Sequence, residues 1–172
     1  MTALMATAYY TGYSYIEPFL QQIGGFSDGS ITAVLSIFGI AGIAGSALFA
    51  RLYTGRRRRF AFLILALCGI TASLFLMLPC ATGFACATAF NVSLQSEILK
   101  YAPEGAAAVA MSIFSGIFNL GIGGGSAIGG AVSSGMSISW VGVVGGFIGV
   151  AGVAACAAFL IPSMNKRGVV SK

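Results

Sequence analysis

Long apolar stretches alternate with short polar or glycine-rich breaks along the whole chain. Each stretch is close to the roughly 20 residues of α-helix that cross the hydrocarbon core of a bilayer. The pattern predicts an all-α polytopic membrane protein with six transmembrane helices in a single domain, residues 1–172. The predicted spans are residues 2–22, 29–50, 60–78, 80–98, 105–130 and 138–161.

Prolines mark several of the predicted helix ends. Pro18 follows Glu17 near the end of the first span. Because proline lacks a backbone N–H and disfavours helix at the preceding residue, we expect a kink or an early helix end there. Pro79 predicts a tight turn between the third and fourth spans, and residues 101–104 interrupt the chain before the fifth.

The positive charges fall in alternate gaps between the spans. They are Arg51, Arg56, Arg57, Arg58, Arg59, Lys100, Lys166, Arg167 and Lys172. Loops that carry Lys and Arg stay on the cytoplasmic side of a membrane. The distribution therefore predicts a multi-pass protein with both termini in the cytoplasm.

Composition agrees with a membrane location. Apolar residues make up 58% of the chain and charged residues 8%, and the mean hydropathy is +0.95. The net charge of +5 lies in the loops next to the spans, so we expect membrane lipid as a partner and no binding to nucleic acid. The run Arg56–Arg59 is placed to meet anionic headgroups.

Glycines are spaced for close helix packing. Gly121, Gly125 and Gly129 form two small-xxx-small steps in the fifth span, and similar spacings occur in the second and sixth. Such stripes let helix backbones approach closely in a membrane. A phosphate-binding loop is the alternative for this stretch, but no Gly-Lys pair follows it and no strand pattern precedes it.

Polar residues inside the first span give the first candidate site. Tyr9, Tyr13 and Glu17 follow i, i+4, i+8 spacing, which places them on one helix face. That face could contact a polyhydroxylated or aromatic ligand, with Glu17 accepting a hydrogen bond or binding a proton. In the alternative interpretation Glu17 is hydrated near the outer headgroups and the tyrosines form an interfacial belt.

Two further polar stripes occur in the fourth and fifth spans. Their members are Thr88, Asn91 and Gln95, and Ser112, Ser115 and Asn119. Such groups either hold helices together or line a solute path, and we take Asn91, Gln95 and Asn119 as candidates for that path. The third and sixth spans carry few polar residues and are predicted to be peripheral scaffold. Glu97 and Lys100, three apart, predict an ion pair.

Nothing in the chain indicates an enzyme. It has no histidine, no cluster of metal-ligand residues and no nucleophile near a base. We therefore expect no catalytic residue, no metal and no cofactor. The cysteines, which follow no zinc or redox spacing, are interpreted as small apolar packing residues.

Four ordered segments resemble the C-terminal half of major facilitator superfamily transporters, in the sugar-efflux and drug:proton antiporter branch that includes arabinose-efflux-like permeases. The segments are residues 11–19, 45–59, 94–104 and 114–123. The resemblance implies one half of a twelve-helix fold, whose first, second, fourth and fifth spans face a cavity at mid-membrane. It also implies the bacterial inner membrane and proton-coupled efflux of a sugar-like or small amphipathic solute.

The resemblance also implies a partner and an inner gate. A second six-helix half would complete the cavity, and a homodimer of halves is an alternative. The loop with Arg51, Arg56 and Arg57 resembles the family's inner gating motif, but Thr54 stands where an aspartate is expected. A different class of function also remains open, namely a non-transporting truncated remnant or a helical assembly subunit.

Overall fold

The computed structural model describes residues 2–52, 56–76 and 81–160. This part of the chain is helical and contains no strand, which confirms the all-α prediction. The helices are α1 Thr2–Tyr13, α2 Ile16–Gln22, α3 Asp28–Leu52, α4 Arg56–Leu76, α5 Ala81–Tyr101, α6 Ala107–Gly135 and α7 Ser139–Ala155. A short π-helix, Cys156–Leu160, continues α7.

Three segments are long and apolar enough to cross a membrane by length and composition. They are Asp28–Leu48, Ala107–Gly135 and Ser139–Ala158, and a shorter apolar helical segment covers Leu63–Leu74. The first predicted span is divided into α1 and α2, which are 12 and 7 residues long. Six spans therefore remain a prediction.

The interruption between α1 and α2 lies one turn before Pro18. Pro18 has no N–H to donate to the carbonyl of Ser14, and its ring crowds that carbonyl, so the helix cannot continue through this turn. Tyr15 N instead donates to Gly12 O at 3.1 Å, and Phe19 N donates to Tyr15 O at 3.0 Å as α2 begins. Tyr9 and Tyr13 share α1, whereas Glu17 belongs to α2. The predicted continuous face therefore ends at Tyr13.

α1 lies at the centre of the packing. It packs extensively against α6 on one side and α7 on another, while α4 packs on α7 and on α5, and α3 packs mainly on α5. The buried core joins residues of α1, α4, α5 and the π-helix, namely Met5, Ala8, Leu63, Ala66, Leu67, Ile70, Leu74, Phe90 and Cys156. The opposite faces of α4 and α7 expose Leu65 and Phe147, which suits contact with lipid.

Glycines bring α6 and α7 against the backbone of α1. A Cβ added at Gly125 of α6 would lie 2.5 Å from the carbonyl oxygen of Thr7. A Cβ added at Gly145 of α7 would lie 2.8 Å from the carbonyl oxygen of Ala8. The prediction of closely packed helix pairs is confirmed for both helices.

Candidate functional site

A pocket of about 180 Å³ lies where α1, α5 and α6 meet. Its lining residues are Tyr9, Tyr10, Ala87, Thr88, Asn91, Val92 and Phe118. Asn91 is the central residue of the 21-residue helix α5, so it lies about 15 Å from either helix end at a rise of about 1.5 Å per residue. The pocket is therefore at mid-helix depth.

A smaller space of about 20 Å³ adjoins this pocket on its apolar side. The two share Tyr9, Tyr10, Ala87 and Phe118, and the smaller one adds Met5, Ala6, Ile70 and Phe90. All four added residues are apolar. The site thus has a polar part against α5 and an apolar extension toward the core.

Aromatic rings from α1 and α6 form two walls of the pocket. Tyr10 meets Phe118 edge to face, with ring centroids 6.1 Å apart and planes at 87°. Tyr9 stacks on Tyr13 at 5.2 Å, and Phe118 stacks on the buried Phe114 at 6.0 Å. Such pairs hold rings in defined orientations, so the walls present fixed faces and edges to the pocket.

The polar wall is one face of α5. Thr88 and Asn91 line the pocket, and Gln95 Nε2 donates a hydrogen bond to Asn91 Oδ1. Other buried polar side chains are bonded within their own helices, as with Thr11 Oγ1 to Thr7 O at 2.7 Å and Ser93 Oγ to Ala89 O at 2.6 Å. The pocket's polar character therefore comes from α5 and the two tyrosines.

The structure brings together some of the predicted path residues and separates others. Tyr9 and Asn91 line the pocket, and Tyr13 and Gln95 each contact one of them. Glu17 is exposed on α2 and is not a lining residue. Asn119 is exposed on α6, where its Nδ2 donates to Ser115 Oγ at 3.5 Å.

The predicted inner-loop residues lie at the edge of the described structure. Arg51 is exposed at the end of α3. The side chains of Arg56 and Arg57 lie outside the described residues, as does Thr54. The predicted ion pair is confirmed, with Lys100 Nζ 3.3 Å from Glu97 Oε1.

Sequence reasoning missed Tyr10 and Phe118 as pocket residues. Tyr10 lies one position beside the Tyr9–Tyr13 stripe, and Phe118 precedes the chosen Asn119. Neither ring stands out, because an aromatic residue in an apolar span has the same appearance whether it faces lipid, core or a cavity. Thr88 is part of the predicted polar stripe with Asn91 and Gln95, and it lines the pocket.

Hydrogen bonds attach the α1–α2 break to α6. Ser14 Oγ and Ser126 Oγ share a bond of 2.9 Å, and Tyr15 OH donates to the carbonyl oxygen of Ser126 at 3.1 Å. A Cβ added at Gly130 would lie 2.8 Å from Tyr15 OH, so a glycine leaves the space for this ring. The start of α2 and the second half of α6 are thereby joined.

We expect Ser126→Ala to lower stability only slightly. The change removes the Ser14 hydrogen bond but keeps the carbonyl that accepts from Tyr15, and such bonds in membranes are worth about 0.6 kcal/mol. Thermal unfolding in detergent measures the effect. Ser134→Ala is the matched control, because the Ser134 hydroxyl bonds only to carbonyls of α6 itself. An equal loss in both variants would contradict a contact between helices.

The geometry offers no metal centre within the described ranges, where no three His, Cys, Asp or Glu side chains come together. Cys68, Cys86 and Cys156 are free thiols. The chemistry of the pocket is therefore that of aromatic rings, a threonine and an amide. These groups suit binding of an uncharged solute.

Comparison with known proteins finds a relative described as a transporter. The chain is 42% identical over 159 residues to a protein of Mannheimia succiniciproducens described as a probable sugar efflux transporter. The match covers 86% of this chain and 39% of the relative, so the chain spans about two fifths of the relative's length. No family model matches the chain. This similarity and the apolar helices together indicate a multi-pass membrane protein.

Proposed function

We propose that the chain forms part of a membrane transporter that exports a sugar-like or small amphipathic solute. The observation that carries the proposal is the pocket at mid-helix depth, where Asn91 and Thr88 lie beside tyrosine and phenylalanine rings. Polar side chains at this depth are costly in a bilayer and mark solute paths. The description of the relative as a transporter supports this and favours transport over enzymatic activity.

The pocket chemistry fits one ring of a polyhydroxylated solute. The C–H face of a sugar ring can pack against Tyr10 and Phe118, while its hydroxyls bond to Asn91 and Thr88. The volume of about 180 Å³ is below the range of about 300–1,000 Å³ that holds drug-sized ligands. We therefore propose that a second six-helix half, or a second copy, supplies the remaining wall.

Proton coupling is part of the same proposal, and Glu17 is its candidate. Asp28 accepts a hydrogen bond from Gln21 Nε2 at 3.1 Å, and Glu97 pairs with Lys100. Glu17 is the second residue of α2, just after the break that Ser14 and Tyr15 attach to α6. Protonation of this carboxyl would therefore act at the α1–α2 junction rather than inside the pocket.

Efflux from reconstituted vesicles tests this function. Vesicles are loaded with radiolabelled monosaccharides, and the chain is reconstituted alone and with a separately expressed second half. We expect faster release than from loaded vesicles that contain no protein. A proton gradient should accelerate this release in the wild type and not in Glu17→Gln. The matched control is Glu104→Gln, in an exposed loop. Efflux that is unaffected by Glu17→Gln would remove Glu17, and no sugar release in either format would refute the function.

The same proposal places both termini in the cytoplasm of a bacterial cell, with the membrane crossed six times. In a variant without native cysteines, we expect Asp28→Cys to react with an impermeant maleimide on intact cells. Lys100→Cys should react only after the membrane is opened. Labelling of position 100 from outside would overturn this topology.

A second candidate function is that of a helical assembly subunit that does not transport. Ser112, Ser115 and Asn119 are exposed on one side of α6, together with Ile113 and Leu120. Amides and hydroxyls are placed against another helix more favourably than against lipid, so this face favours a helical partner. Two results together would support this function. A cross-linker at position 119 would capture a second helical protein, and substitutions of the pocket residues Asn91 and Phe118 would leave every solute flux unchanged.

A further inference from the structure

The amide of Asn91 has a fixed orientation in the structure. Asn91 lines the pocket, whereas Gln95 lies one helical turn further along α5 and is not a lining residue. Gln95 Nε2 donates a hydrogen bond to Asn91 Oδ1. The carbonyl side of the Asn91 amide is therefore directed along α5 toward Gln95.

This orientation decides which group Asn91 offers to a solute. An amide carries its acceptor oxygen and its NH₂ group, which has two donors, on opposite sides of the same carbon. The α5 residues of the pocket are Ala87, Thr88, Asn91 and Val92, and Gln95 lies beyond them toward the C-terminal end of α5. With Oδ1 bonded to Gln95, the Nδ2 group is the part of the amide that remains for a solute.

We propose that Gln95 is a positioning residue that holds the Asn91 NH₂ group toward the pocket. The site then recognises its solute at this point through an acceptor oxygen, such as a sugar hydroxyl or ring oxygen that receives a hydrogen bond from Asn91. This role rests on the proposed function, and it specifies that Asn91 is the donor in its hydrogen bond to the solute. It assigns Gln95 a role in specificity although Gln95 does not line the pocket.

A purely structural role for the pair makes a different prediction. Side chains four apart on a helix stabilise that helix by a few tenths of a kcal/mol, and loss of such a bond would alter stability without changing which solutes bind. A change in selectivity between solutes that donate and solutes that only accept is therefore the informative measurement.

The experiment uses D-glucose, D-galactose and D-xylose as first probes, with affinity measured by scintillation proximity on the purified chain alone and with a second half. The best-bound sugar is then compared with its monodeoxy and deoxyfluoro analogues. Fluorine accepts weakly and cannot donate. In the wild type, we expect one ring position at which deoxygenation weakens binding by up to about tenfold and fluorine restores part of the loss.

Two variants are expected to invert this preference. Asn91→Asp presents a carboxylate that only accepts, and Gln95→Glu accepts from the Asn91 NH₂ group and so turns Oδ1 to the pocket. In both variants, the ratio of the affinity for the parent sugar to the affinity for its deoxyfluoro analogue should be about tenfold higher than in the wild type. Gln22→Glu is the matched control, since Gln22 is exposed at the end of α2 and outside the lining, and it should leave the ratio unchanged.

The outcomes separate the two proposals. If the wild type binds a sugar but treats deoxy and deoxyfluoro analogues alike at every position, the inference fails and the proposed function stands. The same holds if both variants keep the wild-type ratio. If neither form of the wild type binds any of the sugars, the proposed function fails and this inference fails with it. If one variant does not fold, the other is compared with the wild type in the same way.

Discussion

Gly125→Ala is expected to destabilise the packing of α1 against α6 by about 1–3 kcal/mol. The added methyl carbon would lie 2.5 Å from the carbonyl oxygen of Thr7 and 2.9 Å from the backbone nitrogen of Thr11. Both are backbone atoms, which cannot rotate away as a side chain can. Relief therefore requires the two helices to separate. Thermal unfolding of the purified protein in detergent measures the loss.

Gly123→Ala is the matched control on the same helix. No atom lies within 4 Å of a Cβ added at Gly123, and this residue is exposed. Alanine favours helix over glycine by up to about 1 kcal/mol, so this variant should be as stable as the wild type or slightly more stable. Equal destabilisation by both substitutions would show that glycine acts in α6 through backbone flexibility and not through close contact.

The glycine contacts also hold the pocket in shape. Tyr9 and Tyr10, which line it, lie on α1 between Thr7 and Thr11, the residues that Gly125 approaches. On another side, Gly145 and Gly152 of α7 approach Ala8 and Met5 of the same helix. Separation of α1 from α6 would move both tyrosines relative to Phe118. Gly125→Ala should therefore weaken solute binding as well as stability.

Periodicity and composition predicted much of this helical arrangement. α3, Asp28–Leu52, lies over the predicted segment 29–50, and the glycines at positions 121, 125 and 129 face α1 as their spacing indicates. α6 continues to Gly135, beyond the predicted end at residue 130. Residues 133–135, Ser-Ser-Gly, have the composition of a turn and were part of the predicted outer loop, but they continue α6 in the structure.

The candidate site was predictable in part. The i, i+3, i+7 stripe on α5 correctly placed Thr88 and Asn91 on one face, because that face depends only on helix geometry. Which residues of α1 and α6 meet this face depends on the position and rotation of helices far apart in sequence. Periodicity within one helix contains no such information, so Phe118 was missed and Asn119 was chosen.

Glu17 illustrates a second limit. Its eight-residue spacing from Tyr9 predicts a common face only if the helix is continuous, and Pro18 acts one turn earlier than the glutamate itself. The chain therefore leaves the helix at Ser14 and Tyr15 and begins α2 at Ile16. The kink was predictable from Pro18. The separation of Glu17 from Tyr9 and Tyr13 follows only when the break is placed at Ser14, four residues before the proline.

Phe118→Ala is expected to weaken solute binding by about thirtyfold, since truncation of an aromatic residue at a binding hot spot costs about 2 kcal/mol. Phe118 is the α6 residue of the pocket lining, and it also meets Tyr10 edge to face. Its loss removes one wall and leaves the Tyr10 ring without that support. Affinity for the best-bound monosaccharide, measured by scintillation proximity, gives the change directly.

Ile117→Ala is the control for this prediction. Ile117 precedes Phe118 on α6, is 41% exposed and does not line the pocket, so the variant should bind the sugar as the wild type does. Both substitutions remove apolar area from α6, and only one removes it from the pocket. If the two variants lose affinity equally, the effect belongs to α6 packing in general. The solute path would then have to be sought on the exposed Asn119 face rather than between α1, α5 and α6.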